Sequence, residues 1–303
     1  MSAPLPEIVV AVDGSTASNA AVRWATHEAM LRMVPLRLVH VTSTPTVTYA
    51  VAPVPVTMEE WQKEQARQII GDAEELVRRT ADDAGQSVIL AGADVVDAPT
   101  ITTLIDLSKD TGMLVVGSHG HGAFRRGLLG SVSTALVHHA QCPVAVIHDA
   151  PTPRRDAPVV LGVDGSPVSE RATGIAFEEA AQRSVELIAV HAWSDTTLIA
   201  AHVWGDSGLL AESAADWVAV SARAEMMLAE RLASWQSTYP GVAVRRVVVC
   251  DRPTHFLAEE SENAQLLVVG SHGRGGFAGM LLGSVSTKLV HTVRVPLIVA
   301  RKS

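Results

Sequence analysis

Cysteine and aromatic side chains are scarce in this chain of 303 residues. The 2 cysteines, Cys142 and Cys250, are far apart and form no Cys-x-x-Cys pair, which excludes a local disulfide framework or thiolate metal site. This cysteine usage fits a reducing compartment. Aromatic residues make up only 4%, so the hydrophobic content of 48% consists mainly of Val, Leu, Ile and Ala. That composition is typical of buried parallel strands covered by Ala-rich helices.

The chain also has fewer basic than acidic residues and contains no long apolar run. The 24 Lys and Arg residues against 32 Asp and Glu give a net charge of −8, which disfavours nucleic acid as a main partner. No window approaches the ~18 uninterrupted apolar residues of a membrane span. The apolar stretch at 8–12 ends at Asp13, short of a signal peptide. We therefore expect a cytoplasmic protein that contacts no membrane.

The chain contains a long internal repeat. The segment Ile-Val-Val-Ala-Val-Asp-Gly-Ser at 8–15 recurs as Val-Val-Leu-Gly-Val-Asp-Gly-Ser at 159–166, 151 residues later. The segment at 114–148 recurs at 267–301, with 21 of 35 positions identical. A period this long indicates a duplicated domain rather than a solenoid of small units. We expect a first domain over 1–150 and a second over 157–303, joined by a polar, Pro-rich stretch.

Within each half, short apolar runs alternate with longer amphipathic ones, which predicts βαβ units and a parallel sheet. In the first half, we expect strands near 7–12, 36–42, 87–95, 112–117 and 143–148, and helices near 16–33, 58–84, 98–109 and 131–140. In the second half, we expect strands near 158–163, 185–192, 242–249, 266–270 and 295–300, and helices near 167–183, 211–238, 252–262 and 284–293. The predicted fold class is α/β: two tandem doubly wound domains, each a five-stranded parallel sheet with helices on both faces.

The strongest functional signal is a glycine-rich segment between the fourth strand and the fourth helix of each half. It reads Gly-x2-Gly-x9-Gly-Ser, with its glycines at Gly117, Gly120 and Gly130, and again at Gly270, Gly273 and Gly283. Glycine lets a ligand approach the main chain with no Cβ in the way. Free N–H groups at the start of a helix bind anions. The segment therefore predicts a phosphate site, with Ser131 or Ser133 placed to cap the first of these helices.

Two common phosphate-binding motifs do not match this segment. A P-loop ends in Gly-Lys-Ser/Thr, and neither copy has Lys after its last glycine. A dinucleotide fingerprint follows the first strand, whereas this loop follows the fourth, and Arg125 stands where its third glycine would fall. Glycines that merely form a tight turn are the simpler alternative. The same spacing in both halves favours a ligand.

Asp13 and its copy Asp164 follow the first strand of each half. Ligands of doubly wound sheets bind outside the carboxyl ends of the strands, where the strand order reverses. If the fourth strand lies beside the first, Asp13 and the glycine-rich loop face one crevice. A carboxylate there can accept hydrogen bonds from a base amine or a ribose hydroxyl. The alternative is an Asp13 that caps the helix beginning near Thr16.

Together, the Val-Asp-Gly-Ser opening and the glycine-rich segment resemble the universal stress protein family in its tandem two-domain form, over nearly the whole chain. The resemblance implies an ATP-binding fold of strand order 3-2-1-4-5, with Mg²⁺ as a possible companion of the phosphates. It also implies a protein without strong catalytic activity that forms a homodimer. In the first half, the residues that the resemblance places at the nucleotide are Ala11, Asp13, Val41, Gly117, Gly120, Gly130, Ser131, Val132 and Ser133. Position inside the same loop adds Ser118, His119, His121 and Gly122 as candidate contacts. In the second half, the resemblance gives Gly162, Asp164, Ala192, Gly270, Gly273, Gly283, Ser284, Val285 and Ser286, and position in the loop adds Ser271, His272, Arg274 and Gly275. Ala11 stands opposite Gly162, and Val41 opposite Ala192, so we expect pocket shape to differ between halves.

The leading hypothesis is a regulatory protein of stress response or growth control that holds one ATP in each half and acts on an unidentified protein partner. A slow ATP-hydrolysing enzyme is disfavoured, because neither loop brings an evident general base or an arginine common to both copies. A dimerisation scaffold with vestigial sites is disfavoured by two intact glycine-rich segments. We expect no metal site at His119 and His121, since no third ligand of suitable spacing accompanies them.

Overall fold

A computed structural model describes residues 7–42, 56–120, 129–150, 153–193, 214–250, 252–273 and 282–301. The chain forms two compact units, Met1–Pro151 and Thr152–Lys302. Within the described residues, the first unit has five strands and four helices. They are β1 (Ile8–Ala11), α1 (Thr16–Arg32), β2 (Leu36–Thr42), α2 (Val56–Ala84), β3 (Leu90–Asp97), α3 (Thr100–Leu107), β4 (Met113–Gly117), α4 (Ser131–His139) and β5 (Val144–Ile147).

The second unit repeats this order of elements. They are β6 (Val159–Gly162), α5 (Pro167–Arg183), β7 (Leu187–Trp193), α6 (Ala214–Thr238), β8 (Val244–Cys250), α7 (Pro253–Ser261), β9 (Leu266–Gly270), α8 (Ser284–Thr292) and β10 (Leu297–Ala300). The strand orders are β3-β2-β1-β4-β5 in the first unit and β8-β7-β6-β9-β10 in the second. All strand pairs within each unit are parallel. The predicted fold class, with its strand order 3-2-1-4-5, is confirmed.

The two central strands of each sheet are buried on both faces. Val9 and Val10 in β1, and Leu114 and Val115 in β4, have no exposed surface. Successive residues of a strand point to opposite faces of the sheet. Burial of adjacent residues therefore shows that both faces are covered, which is why these strands are continuous apolar runs without polar alternation.

A tight turn leads from the first strand of each unit into the first helix. Gly14 and Gly165 have φ values of 82° and 78°, a left-handed conformation that L side chains rarely adopt. The next residue caps the helix: Ser15 Oγ accepts a hydrogen bond from Ser18 N at 3.2 Å. This turn fixes the residue before the glycine at the carboxyl end of the strand, which places Asp13 and Asp164 at the rim of the sheet.

The sequence was least informative about the boundaries of the outer elements. β3 covers 90–97 instead of the predicted 87–95, because its register is set by β2, whose last residue Thr42 pairs with Asp97. For the same reason β8, which pairs with β7 as far as Cys250, is shifted from the predicted 242–249. Helix α3 is shorter than predicted, because Pro99 is an extended N-cap with ψ 115°. The predicted start of α6 at 211–213 lies outside the described residues.

Candidate functional site

The carboxyl ends of β1 and β4 form one rim of the first sheet. The two strands are neighbours in parallel register, with Ile8 opposite Met113. The chain runs from β1 to β2 on one side and later places β4 on the other side, so the strand order reverses between β1 and β4. The structure thus brings Asp13 next to the glycine-rich loop: a Cβ added to Gly120 would collide with Asp13 Oδ2.

The second unit reproduces this juxtaposition. A Cβ added to Gly273 would lie 2.5 Å from Asp164 Oδ2, far inside van der Waals contact. A side chain at the second glycine of either motif would therefore displace the carboxylate that lies against it. The two units share this contact although their sequences differ in much of the surrounding loop.

The carboxylate of Asp13 is oriented by its own turn. Its Oδ1 accepts a hydrogen bond from Ser15 N at 2.9 Å, and Asp164 Oδ1 accepts one from Ser166 N at the same distance. The N-cap of α1 is Ser15, so the alternative in which Asp13 caps that helix is wrong. The other oxygen, Oδ2, is directed at the loop.

Helices α4 and α8 begin at a glycine. Gly130 and Gly283 are the N-cap residues, and no described side chain forms a cap hydrogen bond at either helix start. The prediction that Ser131 or Ser133 caps α4 is wrong, because Ser133 Oγ instead donates to the Gly117 carbonyl at 2.6 Å. In the second unit, Ser286 Oγ donates to the Gly270 carbonyl at 2.6 Å. The first-turn N–H groups of both helices are thus left available to an anion.

The glycines of the motif have different structural tasks. A Cβ on Gly117 would lie 2.7 Å from the carbonyl carbon of Ala17, so this glycine permits close packing of α1 against β4. Gly120 faces the carboxylate of Asp13. Gly130 closes the loop, since its N–H donates to the Ser118 carbonyl at 2.7 Å. Only the last two positions therefore border the crevice in a way that a ligand could use.

Sequence reasoning missed the serines that join the turn to the loop. Ser15 Oγ donates to the His119 carbonyl at 3.3 Å, and Ser166 Oγ donates to the His272 carbonyl at 3.2 Å. Each of these serines also caps its helix, so one hydroxyl ties together the turn, the helix and the loop. The available signal was the repeat itself, because Ser15 and Ser166 are 151 residues apart, like the aspartates.

Sequence reasoning also missed two histidines, one in the second strand of each unit. His40 Nδ1 lies 2.7 Å from the Val12 carbonyl, and His191 Nδ1 lies 2.7 Å from the Val163 carbonyl. Because a carbonyl can only accept, Nδ1 carries the proton in both rings. These bonds fasten the end of the second strand to the residue immediately before the aspartate.

The predicted residues at the strand ends lie along the same rim. Ala11, Val41 and Ala192 are half-buried near the ends of their strands. The space beside Gly162 is narrow, because a Cβ added there would lie 3.2 Å from the side chains of Leu257 and Val269. The rim is therefore apolar at these positions.

The predicted residues of the loop and the following helix divide into exposed and buried ones. Ser131 and Ser284 are exposed, and Val132 and Val285 are half-buried, in the first turns of α4 and α8. Ser118 and Ser271 are buried, each with Oγ 3.0 Å from the Nδ1 of His119 or His272. The predicted residues that lie outside the described residues are His121, Gly122, Arg274 and Gly275.

Metal-ligand clusters and membrane spans are both absent from the described residues. No three His, Cys, Asp or Glu side chains in this part of the chain are grouped as metal ligands. None of the described helices is both long enough and apolar enough to cross a bilayer.

Each unit is thus a doubly wound α/β domain with a glycine-rich loop at its switch point. The chain belongs to the universal stress protein family: the model of that family matches residues 6–148 and 157–301. Universal stress protein Rv2005c of Mycobacterium tuberculosis H37Rv is 48% identical over 299 residues, which cover 98% of this chain and 97% of the relative. Universal stress protein Rv2623 of the same organism is 46% identical over 300 residues, covering 98% and 96%.

A solved structure supports the fold independently. A universal stress protein from Archaeoglobus fulgidus DSM 4304 superposes with a TM-score of 0.67 at 19% identity, covering 98% of this chain and 97% of that one. At this level of identity the similarity concerns the tandem fold alone.

Proposed function

We propose that each unit binds one ATP, and that the chain is a regulatory nucleotide-binding protein of stress response or growth control. The observation that carries the proposal is a helix that starts at a glycine, which has no side chain to cap it, beneath a glycine-rich loop that lies against a strand-end carboxylate, built alike in both units. Membership in the universal stress protein family supports ATP as the ligand, since ATP binding is what the intact glycine motif implies in that family.

The phosphates would be held by main-chain groups. Thr134 N donates to the Gly130 carbonyl, which makes it the first helical hydrogen bond of α4 and leaves the N–H groups of Ser131, Val132 and Ser133 ahead of it. These groups, with a helix dipole worth about half an elementary charge, attract anions without any lysine. Mg²⁺ would accompany the phosphates as their counter-ion.

The carboxylates would hold the other end of the ligand. An ionised Asp accepts hydrogen bonds and cannot donate them. Asp13 Oδ1 is occupied by the amide of Ser15, whereas Oδ2 is directed at the loop. A ribose hydroxyl or a base amine can donate to an oxygen in this position, and a phosphate would be repelled. This polarity orients the nucleotide with its sugar towards β1 and its phosphates towards α4.

ATP binding would act by changing how the chain associates with a second copy or with a protein partner in the cytoplasm. A ligand shifts a conformational or assembly equilibrium only by its differential affinity for the two states. Family resemblance supports a homodimer and a complex with a regulatory protein partner as the assemblies whose formation ATP would shift. A native mass of one chain, with and without ATP, would contradict the homodimer.

The role of the carboxylate is tested by Asp13→Ala with titration calorimetry of ATP. A hydrogen bond to a charged group contributes about 1.5–3 kcal/mol, so we expect one of two binding events to weaken by about 10- to 100-fold. The matched control is Asp156→Ala, because Asp156 is exposed and its carboxylate pairs with Arg154 in the linker. Equal affinities of Asp13→Ala and the unsubstituted chain would show that the ligand does not use Asp13.

A further inference from the structure

The peptide group that joins Val12 to Asp13 is held from two sides. Its carbonyl oxygen lies 2.7 Å from His40 Nδ1 in β2, which donates to it. Its N–H donates to Ser18 Oγ in α1 at 3.1 Å. Because a peptide group is planar, these two bonds fix its orientation, and with it the direction in which the Asp13 side chain leaves the main chain.

The second unit holds the corresponding peptide group in the same way. The Val163 carbonyl accepts from His191 Nδ1 at 2.7 Å, and Asp164 N donates to Ser169 Oγ at 3.2 Å. Strands β2 and β7 are identical at only three of their seven positions, and the histidine is one of these. The same side chain therefore binds the same carbonyl in two strands that otherwise differ in sequence.

The histidine donates at a point where the strand pairing has ended. The paired register of β1 and β2 stops at Ala11 opposite Val39, one residue before Val12. The N–H of Val12 still donates to the Val39 carbonyl at 2.9 Å, and its own carbonyl accepts from the imidazole. His40 is fixed by the sheet, because it pairs with Val95 of β3 on its other side. The last residue before the aspartate is thus fastened to β2 by both of its main-chain polar groups.

Removal of the imidazole would free this peptide group to rotate. Val12 is buried, and a buried carbonyl without a donor is costly, so the group would turn towards another donor. Gly14, directly beyond Asp13, has a φ of 82° and no side chain to resist the rotation. The Asp13 carboxylate would then lose its position against the glycine-rich loop.

We propose that His40 and His191 are positioning residues of the two sites, and that each raises nucleotide affinity by orienting the aspartate through the peptide group before it. The proposal rests on the proposed function, because it concerns the carboxylate that would hold the sugar or base. An effect that passes through Asp13 should vanish when Asp13 is absent. It should also spare a ligand that has neither sugar nor base.

The test uses the full chain with Gly273→Val, which blocks the second site so that calorimetry reports the first. In this background, His40→Phe keeps a ring but removes the donor. His40→Asn places an amide nitrogen where Nδ1 stands, and His40→Gln places it one bond farther out. Ile70→Val, a buried substitution in α2, is the control for a small general loss of stability. ATP and inorganic tripolyphosphate are titrated into each protein, and circular dichroism verifies the fold.

We expect His40→Phe to weaken ATP about 2- to 10-fold, the range for one neutral hydrogen bond, and tripolyphosphate less than about twofold. His40→Asn should retain most of the ATP affinity, and His40→Gln should resemble His40→Phe. Ile70→Val should bind as its parent does. When Asp13→Ala is added to the background, His40→Phe should weaken ATP no further.

An ATP affinity unchanged by His40→Phe would overturn the proposal, and so would a further loss in the Asp13→Ala background. Equal losses of ATP and tripolyphosphate, or equal losses in His40→Asn and His40→Phe, would assign the histidine a general structural role instead. If His40→Phe does not fold, the comparison of His40→Asn with His40→Gln decides. If the Gly273→Val parent and the unsubstituted chain both fail to bind ATP, the proposed function itself fails and the positioning role falls with it.

Discussion

Asp13 shows how one side chain can be oriented by its own turn and still serve a neighbour. One carboxylate oxygen accepts the Ser15 amide at 2.9 Å, and the other lies against Gly120. The same division holds for Asp164 and Gly273. The second glycine of the motif, which from sequence looks like a requirement of the ligand, thus first leaves room for the carboxylate.

Loss of the Ser15 hydroxyl should lower the stability of the first unit. Ser15→Ala removes the cap of α1 and the bond to the His119 carbonyl. We expect the free energy of unfolding of the first unit to fall by about 1–2 kcal/mol. Denaturant unfolding measures this, with Thr16→Ala, at the exposed neighbouring position, as the control. A Ser15→Ala protein as stable as the control would mean that neither hydrogen bond matters.

At the scale of the element, α4 and α8 begin at a glycine, which has no side chain to cap the helix, whereas α1 and α5 are capped by Ser15 and Ser166. A cap of Ser, Thr, Asp or Asn typically contributes about 1 kcal/mol over Ala, while Gly is only a few tenths weaker. Glycine at Gly130 and Gly283 therefore costs little stability and keeps the first-turn N–H groups uncovered. This is the expected choice where a ligand, and not a side chain, satisfies the helix start.

Gly283→Asp tests this use of the helix start. The new carboxylate can accept from the N–H of Val285 or Ser286 and adds negative charge where a phosphate would bind. Space is sufficient, because the Cβ would lie 3.4 Å from His272 Cα. We expect ATP affinity of the second unit to fall at least about tenfold, with unfolding free energy changed by less than about 1 kcal/mol.

Gly283→Asn is the matched control for Gly283→Asp, since it offers the same cap without the charge. Calorimetry of both variants separates competition for the N–H groups, which affects both, from repulsion of the phosphates, which affects only Asp. ATP binding by Gly283→Asp that equals that of the unsubstituted chain would remove the phosphates from α8.

The sequence predicted these elements well where a local pattern determines them. The central strands were readable as apolar runs, and the predicted start of α4 at residue 131 agrees with the structure, although its cap was predicted wrongly. The sequence did not predict features that depend on a distant partner. The limits of β3 are set by its pairing with β2, and Ser133 Oγ donates to the Gly117 carbonyl instead of capping α4. The bond between His40 and the Val12 carbonyl also joins segments that no local pattern relates.

At the scale of the whole molecule, both units keep the contacts of the candidate site while their packing differs elsewhere. Phe177 is fully buried in α5 and stacks with Trp235 and Tyr239, with ring centroids 6.2 and 6.0 Å apart. The matching position in α1 is Thr26, whose hydroxyl donates to the Val22 carbonyl at 2.8 Å. Loop, turn and carboxylate contacts are nevertheless the same in both units. Two ligands per chain are therefore the natural expectation.

The most direct test is the number of ATP molecules that the chain retains, counted by native mass spectrometry. Gly120→Val and Gly273→Val each put a branched side chain where a Cβ already collides with an aspartate oxygen. Gly241→Val is the control, because nothing lies within 4 Å of a Cβ at that position. We predict two ATP for the unsubstituted chain and the control, one for each single variant and none for the double variant. An unsubstituted chain that retains no ATP, or a double variant that retains two, would contradict the account.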